Sequence, residues 1–268
     1  MINCSIVTYR HSINQLRLLL TQLQTDPLIK TIFIIDNWIS NNLQKDLAPF
    51  TKVNYIFNHA NLGYGKAHNI ALKKSINEVD YHIVINPDIE LQEQTISDLY
   101  AYMQNHQNIG LIMPKVLYPD GSIQYLCKML PTPFDLIGRR FLPAFMQKTM
   151  QKRLQAYELK HKNYNLQMEI PNLSGCFMFL RCSALQTTGL FDEHFFMYLE
   201  DTDLSRRINQ QYQTVYYPNT AVIHHYEKGS YKNFKLLTYH IKSAFYYFGK
   251  WGWLFDPMRT TINKLLKA

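Results

Sequence analysis

Carboxylate and amide side chains follow two strand-like segments of the chain. The apolar run 83–85 leads into Asn86-Pro87-Asp88, and the run 31–35 leads into Asp36-Asn37. Proline gives the sheet no N–H and restricts the residue before it, so the first strand should end there. Acids at the carboxyl edge of a parallel sheet can bind a nucleotide's ribose or base, or hold a divalent cation against a diphosphate. An ordinary strand-ending turn accounts for residues 83–88 equally well.

A second acidic group, Glu200-Asp201-Thr202-Asp203, follows the aromatic run 195–198 and opens a helix predicted over 202–210. A partly buried carboxylate there could act as a general base. First-turn acids that only complement the helix dipole are common, however. His224-His225 end a predicted strand. One of them could be a neutral imidazole ligand to a metal at Asp88, although core or surface histidines are the commoner case.

Two glycines, Gly63 and Gly65, lie in the run 61–69 that opens another predicted helix. The run is neither a P-loop nor a complete G-x-G-x-x-G, and a flexible helix start explains it equally well.

The segments around these groups alternate between strand and helix, which predicts an α/β fold with a mostly parallel central sheet and flanking helices. Strands are predicted over 3–9, 31–37, 53–57, 83–88, 109–113, 173–181, 214–217 and 221–224, helices from Ser12, over 61–72, 97–105 and 183–188, and a hairpin over 115–125.

The net charge of +8 is unevenly distributed. Residues 128–170 carry 8 basic and 3 acidic side chains, and residues 226–268 carry 8 and 2. The first block shows no strand pattern, and its apolar residues from Ile137 to Leu154 recur at four-residue steps among basic ones. This predicts a basic amphipathic helix or helix pair, which could pack on the core or lie on a membrane. The second block predicts a basic, aromatic helical tail.

Composition and charge argue against several classes of protein. The hydrophobic content of 47% is that of a globular protein. We expect no secretory signal, since Met1 leads directly into a strand, and no apolar run approaches the ~20 residues of a membrane span. The four cysteines lack metal-ligand spacing and suggest reduced core residues of a cytosolic protein. A nucleic-acid-binding protein is disfavoured because the basic residues lie away from the acidic blocks that should form the pocket. A nucleotidyltransferase would usually show a Gly/Arg/Lys-rich loop after its first strand, and residues 8–11 are not one.

Taken in order, these segments resemble the family-2 glycosyltransferases of GT-A fold, and most of all their bacterial rhamnosyltransferase-like members. The resemblance spans roughly residues 3–230. It rests on residues 5–9, Ile35-Asp36-Asn37, the run 61–69, Asn86-Pro87-Asp88, residues 174–178, Gly189 to Phe195, the acidic motif 200–207 and His224.

The resemblance implies inverting transfer from a nucleotide-sugar to an acceptor hydroxyl. It assigns Asp201 as the general base, with acceptor-binding or supporting roles for Glu200, Asp203, Gly175 and Arg207. The nucleotide-sugar would be bound by Thr8, Tyr9, Asp36, Asn37, Asn61, Gly63, Asn69, Asn86 and Asp88.

Many members carry Asp-x-Asp where this chain has Asn86-Pro87-Asp88. Asp88 alone therefore supplies the charge, and His224 becomes the natural second ligand to Mg²⁺ or Mn²⁺. The cation would stabilise the leaving diphosphate.

We therefore predict a catalytic domain over 1–225, with a helical insert over 128–170, and a tail over 226–268. The expected acceptor is a glycan or polyprenyl-linked sugar in cell-surface polysaccharide synthesis, with no nucleic-acid partner. The expected location is cytoplasmic, at the anionic inner face of the membrane. The donor is dTDP-rhamnose by expectation, with a UDP-hexose as the alternative.

Overall fold

A twisted sheet forms the centre of the molecule. The structure, a computed structural model, describes residues 1–40, 43–136, 147–225 and 234–267. Within these residues the strands are β1 (Ile2–Thr8), β2 (Ile29–Asp36), β3 (Val53–Phe57), β4 (Tyr81–Ile85), β5 (Ile89–Leu91), β6 (Ile109–Leu117), β7 (Met168–Glu169), β8 (Phe177–Arg181) and β9 (Gln213–His224). The helices are α1 (Ile13–Thr25), α2 (Tyr64–Ser75), α3 (Thr95–Asn105), α4 (Pro133–Leu136), α5 (Gln147–Tyr157), α6 (Cys182–Thr188), α7 (Glu200–Asn209), α8 (Phe234–Trp251) and α9 (Pro257–Lys267).

The first half of the sheet is parallel, as predicted. Strands β3, β2, β1 and β4 lie side by side in that order and run in one direction. Strand β4 is buried at every position, which suits its run of β-branched residues. Because the strands are parallel, their carboxyl ends meet at one edge of the sheet, and Asp36 and Asn86 lie there.

The second half of the sheet is mixed. Strand β8 pairs antiparallel with both β4 and β6, whereas β6 and β9 are parallel. The antiparallel β8 arrives at the carboxyl end of β4, where the Asn86 amide donates to the Cys176 carbonyl at 2.9 Å. This pairing brings Gly175 to the same edge as Asn86.

Strand β9 is continuous where two short strands were predicted. Its register against β6 shifts so that Tyr217 pairs with Pro114 and Ala221 pairs with Lys115, and residues 218–220 bulge out. The far end of β9 pairs with β5, so that Ile89 lies opposite His224. His224 therefore lies beside Asp88, although 136 positions separate them in the chain.

The insert and the tail pack against each other. The Leu130 amide donates to Asn263 Oδ1 at 3.0 Å, and Asn263 Nδ2 donates back to the Leu130 carbonyl at 2.8 Å. Leu136 packs with Tyr247 and Phe248 of α8. Described parts of the two basic blocks of the sequence are thus in contact.

The predicted helix in the insert is present as α5, while Ile137 to Met146 of the predicted pattern lie outside the described residues. The short strand β7 was not predicted. It forms because β9 offers residues 215–216 as an edge to pair with. The division into a catalytic domain and a tail stays a prediction.

Candidate active site

A cleft of about 1560 Å³ opens at the carboxyl edge of the sheet. Residues that follow the parallel strands, residues of the insert and residues of α8 all line it. Of the residues predicted to act, the cleft is lined by Tyr9, Asn37, Asn61, Gly63, Asn86, Asp88, Gly175, Glu200, Asp201 and His224.

Gly63 lies in a tightly hydrogen-bonded loop immediately before α2. Its carbonyl accepts a hydrogen bond from Asn37 Nδ2 at 2.9 Å, and its amide donates to Asn61 Oδ1 at 3.0 Å. Its φ is +86°, and an added Cβ would lie 2.2 Å from the Phe196 carbonyl oxygen. Only glycine fits here, because both the backbone angle and the space exclude a side chain.

Three residues predicted to bind the nucleotide-sugar lie behind the cleft wall. Thr8 is fully buried, and Asp36 accepts hydrogen bonds from Tyr55 Oη at 2.8 Å and from the Trp38 amide at 3.0 Å. Asn69 is bonded to the Phe191 backbone at 2.9 and 3.1 Å. The structure gives these side chains a supporting role in the wall, and it does not bring them into the cleft.

Asp88 and His224 meet at the cleft. His224 Nε2 lies 3.3 Å from Asp88 Oδ1. On the other side of the ring, His224 Nδ1 lies 2.9 Å from Gln124 Oε1, while Gln124 Nε2 donates to the His224 carbonyl at 2.8 Å. This orients the amide so that its oxygen accepts from Nδ1–H, and Nε2 then faces Asp88. Burial alone would raise the pKa of Asp88, but the neighbouring His224 imidazole brings it below its usual value.

The Asp88–His224 pair fits a divalent cation. Two ligand atoms at right angles around an ion, each about 2.1 Å from it, lie about 3.0 Å apart, close to the 3.3 Å found here. Gln124 also supplies the second contact that metal-bound histidines usually have. In the described ranges no three His, Cys, Asp or Glu side chains come together as a ligand group. A cation at this pair would therefore depend on the donor's phosphate oxygens for further ligands.

Asp201 lines the same cleft, at the first turn of α7. Its Oδ2 accepts from the Gly175 amide at 2.8 Å and its Oδ1 from the Thr202 amide at 2.7 Å. A Cβ on Gly175 would lie 3.2 Å from Asp201 Cβ, so the close approach depends on glycine. Two backbone donors thus hold the carboxylate in one orientation.

The turn before Asp201 is strained. Tyr198 and Leu199 both have positive φ, at 73° and 70°, which ordinary side chains rarely adopt. Such strain persists only where the surroundings enforce it, and it is typical of functional sites.

Glu200 is buried beside Asp201, and its Oε2 accepts no hydrogen bond from the described residues. Burial and the nearby Asp201 raise the pKa of Glu200 well above its usual value. Its surroundings therefore disfavour the charged form of this carboxyl.

Asp203 and Arg207, predicted as supporting residues, face away from the cleft. Arg207 bonds Asp203 at 2.8 Å and the carbonyls of residues 188–190. Trp251 Nε1 also donates to Asp203 at 2.8 Å. These side chains fasten α7 to α8 and to the loop before it, so their support of Asp201 is indirect.

Several cleft residues were missed by the sequence reasoning. Tyr64 donates to the Gly175 carbonyl at 2.6 Å and lies 3.2 Å from Asn86 Oδ1, and its place next to Gly63 was an available signal. Gln124 and Lys128 carried no signal, because their positions depend on how the chain after β6 folds back toward β9 and α7.

The loop around Gly63, the Asp88–His224 pair and Asp201 all line one cleft. Together they are typical of a glycosyltransferase of GT-A fold. The chain belongs to glycosyl transferase family 2, whose family model matches residues 6–189, more than half of the chain. Asp201 and His224 lie beyond that matched span.

Curated relatives share about a quarter of their residues with the chain. N-acetylglucosaminyl-diphospho-decaprenol L-rhamnosyltransferase of Mycobacterium tuberculosis is 26% identical over 254 residues, covering 87% of this chain and 80% of the relative. Rhamnosyltransferase WbbL of Escherichia coli is 25% identical over 261 residues, covering 93% of both.

Solved structures share the fold at low identity. GalNAc-T7 with UDP, GalNAc and Mn²⁺ aligns with a TM-score of 0.63 at 15% identity, covering 85% of this chain and 43% of that one. A TarS structure from S. aureus aligns with a TM-score of 0.55 at 16% identity, covering 83% and 60%. The chain spans less than two thirds of each of these solved chains.

Proposed function

We propose that this glycosyltransferase moves L-rhamnose from dTDP-rhamnose, with inversion, to a hydroxyl of a lipid-linked glycan during cell-surface polysaccharide synthesis. One observation carries the proposal: Asp201, oriented by two backbone amides, lines the same cleft as the Asp88–His224 pair. A base and a diphosphate anchor in one cleft suit in-line attack at the anomeric carbon of a sugar bound there.

In this mechanism Asp201 accepts the proton of the acceptor hydroxyl. The hydroxyl oxygen then bonds to the anomeric carbon, and the nucleoside diphosphate leaves with the electrons of the broken bond. The Gly175 and Thr202 amides hold the Asp201 carboxylate in one orientation.

Asp88 and His224 would hold the divalent cation. When bound, the cation neutralises charge on the leaving diphosphate. A single carboxylate makes a weak site, so we expect the cation and the donor to bind together.

The choice of donor rests on the relatives. Three are named as rhamnosyltransferases, those of M. tuberculosis and E. coli and the dTDP-rhamnosyl transferase of Shigella flexneri, which is 29% identical over 121 residues. A UDP-hexose is the alternative, because the aligned solved structures include complexes with UDP.

A panel of nucleotide-sugars, scored for donor hydrolysis and for transfer to a lipid-linked acceptor, tests the reaction. The Asp201→Asn variant should lose turnover by about 10² to 10⁴-fold, the usual contribution of a general base. Its affinity for the nucleotide should not change, as measured by calorimetry. Asp120→Asn, at an exposed turn, is the matched control and should keep full activity.

Retained turnover in Asp201→Asn would contradict the base assignment and shift the role to Glu200. The absence of hydrolysis and transfer with every donor would contradict the proposed reaction itself.

The Asp88→Asn variant tests the cation site. Titration of dTDP or UDP with and without Mn²⁺ should show metal-enhanced binding in the wild type, and the enhancement should be lost in the variant. Equal enhancement in both proteins would argue against Asp88 as a ligand.

We also propose that the enzyme docks on an anionic membrane through the insert and the tail. No helix in the described ranges is both long and apolar enough to cross a bilayer. Between α8 and α9, however, Leu254 and Phe255 are 81% and 91% exposed. The buried Arg259 donates to the Trp253 carbonyl at 3.1 Å and also contacts the carbonyls on either side, which holds this turn in place.

An ordered turn presenting apolar side chains amid basic residues suits insertion into a charged interface. Each basic residue near such a surface adds about 1 kcal/mol. Sedimentation with phosphatidylglycerol-containing vesicles at low salt should show binding that Leu254→Ser weakens about tenfold, the effect of losing one buried leucine. Leu18→Ser, an exposed leucine on α1, should bind like the wild type. No binding by the wild type, or equal binding by Leu254→Ser, would contradict the docking proposal.

A further inference from the structure

Lys128 is a cation of the cleft with no assigned role. It lies at the start of the insert, lines the cleft and is half-buried. No carboxylate of the described residues lies within 4 Å of its ammonium group, and no hydrogen bond from its side chain is formed within the same residues.

Two other cations of the insert already have a carboxylate partner. Lys160, which also lines the cleft, pairs with Glu158 at 2.8 Å, and Arg153 pairs with the buried Asp135 at 3.0 Å. Partial burial of a charge is costly unless a partner compensates it. Lys128 is therefore the cleft lysine of the insert that is left to meet an anion from outside the protein.

A short chain of bonds ties Lys128 to the general-base side of the cleft. The Lys128 amide donates to the Asn172 carbonyl at 3.0 Å. Asn172 Oδ1 accepts from Thr202 Oγ1 at 3.0 Å, and the Thr202 amide donates to Asp201. Lys128 is thus linked through Asn172 and Thr202 to the residue assigned as the general base.

The surroundings of Lys128 suit a phosphate attached to a lipid. Tyr125, Tyr157 and Leu136 also line the cleft, and Lys235 of α8 adds a further positive charge. Aromatic and aliphatic side chains can accompany a prenyl chain, while an ammonium binds a phosphate as a point charge.

The geometry points to Lys128 as the residue that binds a phosphate of the acceptor's lipid diphosphate, next to the sugar whose hydroxyl Asp201 deprotonates. The inference rests on the proposed function, since it presumes a phosphate-linked acceptor. The donor also carries a diphosphate, but the anchor proposed for it is the Asp88–His224 pair.

Two acceptors test whether Lys128 binds a phosphate of the acceptor. One is N-acetylglucosamine on a short prenyl diphosphate, and the other is the same sugar as a neutral octyl glycoside. Lys128→Met should lower kcat/KM for the diphosphate acceptor by about 10 to 100-fold, the usual range for one charged hydrogen bond. The neutral acceptor, donor hydrolysis and the affinity for the nucleoside diphosphate should not change. Lys128→Arg should recover most of the loss, and Lys160→Met should change kcat/KM by less than about threefold, because Lys160 is already paired.

A binding measurement avoids dependence on turnover. With the donor site saturated by nucleoside diphosphate and Mn²⁺, inorganic pyrophosphate should still bind the wild type but bind Lys128→Met at least tenfold more weakly.

Equal losses with both acceptors would indicate a merely structural residue and overturn the inference. Weaker nucleotide binding would assign Lys128 to the donor phosphates and also overturn it. Unchanged kinetics in Lys128→Met, with a melting temperature equal to that of the wild type, would overturn it as well. If the wild type transfers to neither acceptor, the proposed function fails rather than the Lys128 assignment, which pyrophosphate binding still tests.

Discussion

The pair formed by Arg206 and Asp256 joins the acidic helix α7 to the C-terminal tail, and replacing Asp256 by asparagine should destabilise the protein severely. The two guanidinium nitrogens donate to the two carboxylate oxygens, both at 2.7 Å, and both side chains are only 2% exposed. The guanidinium also stacks on Trp251 at 4.0 Å. Burial raises the pKa of Asp256, but hydrogen bonds from Arg206 bring it below its usual value, so the pair is charged.

The size of the effect follows from this burial. Asp256→Asn leaves Arg206 buried without a counter-charge, and breaking a buried pair in this way costs about 3 to 5 kcal/mol. For a chain of this size each kcal/mol lowers the melting temperature by about 2 to 4 °C, so a fall of about 10 °C is expected. Replacing both partners by apolar residues, Arg206→Met with Asp256→Leu, should restore part of the stability, because Arg206 is then no longer a buried unpaired charge, whereas the buried Arg259, 3.8 Å from Asp256, still loses this carboxylate.

The assay is urea and thermal unfolding of each variant. Asp80→Asn is the control, since it makes the same chemical change in an exposed pair with the N-terminus, where about 0 to 1 kcal/mol is expected. Turnover of Asp256→Asn should fall already below its melting temperature, because α7 carries Asp201. If Asp256→Asn unfolds at the same urea concentration as Asp80→Asn, the claim that the tail stabilises α7 through this pair is refuted.

Three further predictions concern the interior and the cleft wall. Burial lowers the pKa of His82 to about 3 from 6.5 in the unfolded chain, so the folded protein binds fewer protons and loses stability as the pH falls between these values. His82 should contribute about 2.5 kcal/mol to the loss between pH 7 and pH 4.5, so in urea unfolding His82→Gln should lose about that much less than the wild type; equal pH slopes would contradict it. Gly63→Ala should weaken nucleotide binding at least tenfold and lower the melting temperature more than Gly121→Ala, which has a similar φ but open space around it. If calorimetry and melting curves give the same results for the two variants, the clash with Phe196 is contradicted. Tyr64→Phe should cost about 1 to 3 kcal/mol in urea unfolding, because it leaves the buried Gly175 carbonyl unpaired, and a loss below about 0.5 kcal/mol would mean that water replaces the hydroxyl.

Residues close together in the sequence were enough to predict the elements on which Asp88 and Gly63 lie. The apolar run before Asn86-Pro87-Asp88 forms the buried strand β4, and the glycines of the run 61–69 form the tight start of α2. Periodicity and turn chemistry act between neighbouring residues, so they can be read without the fold. The family resemblance, carried by the order of these motifs, was confirmed by the family model.

Only the tertiary structure decided which distant residues meet. The bulge in β9 brings His224 to Asp88, and the antiparallel β8 brings Gly175 to Asp201. The same packing turns Asp203 inward and leaves Lys128 half-buried without a counter-charge. These outcomes depend on strand register and on contacts across a hundred or more residues. A local pattern therefore determines that a strand ends in Asp88, but only the folded sheet determines what the carboxylate faces.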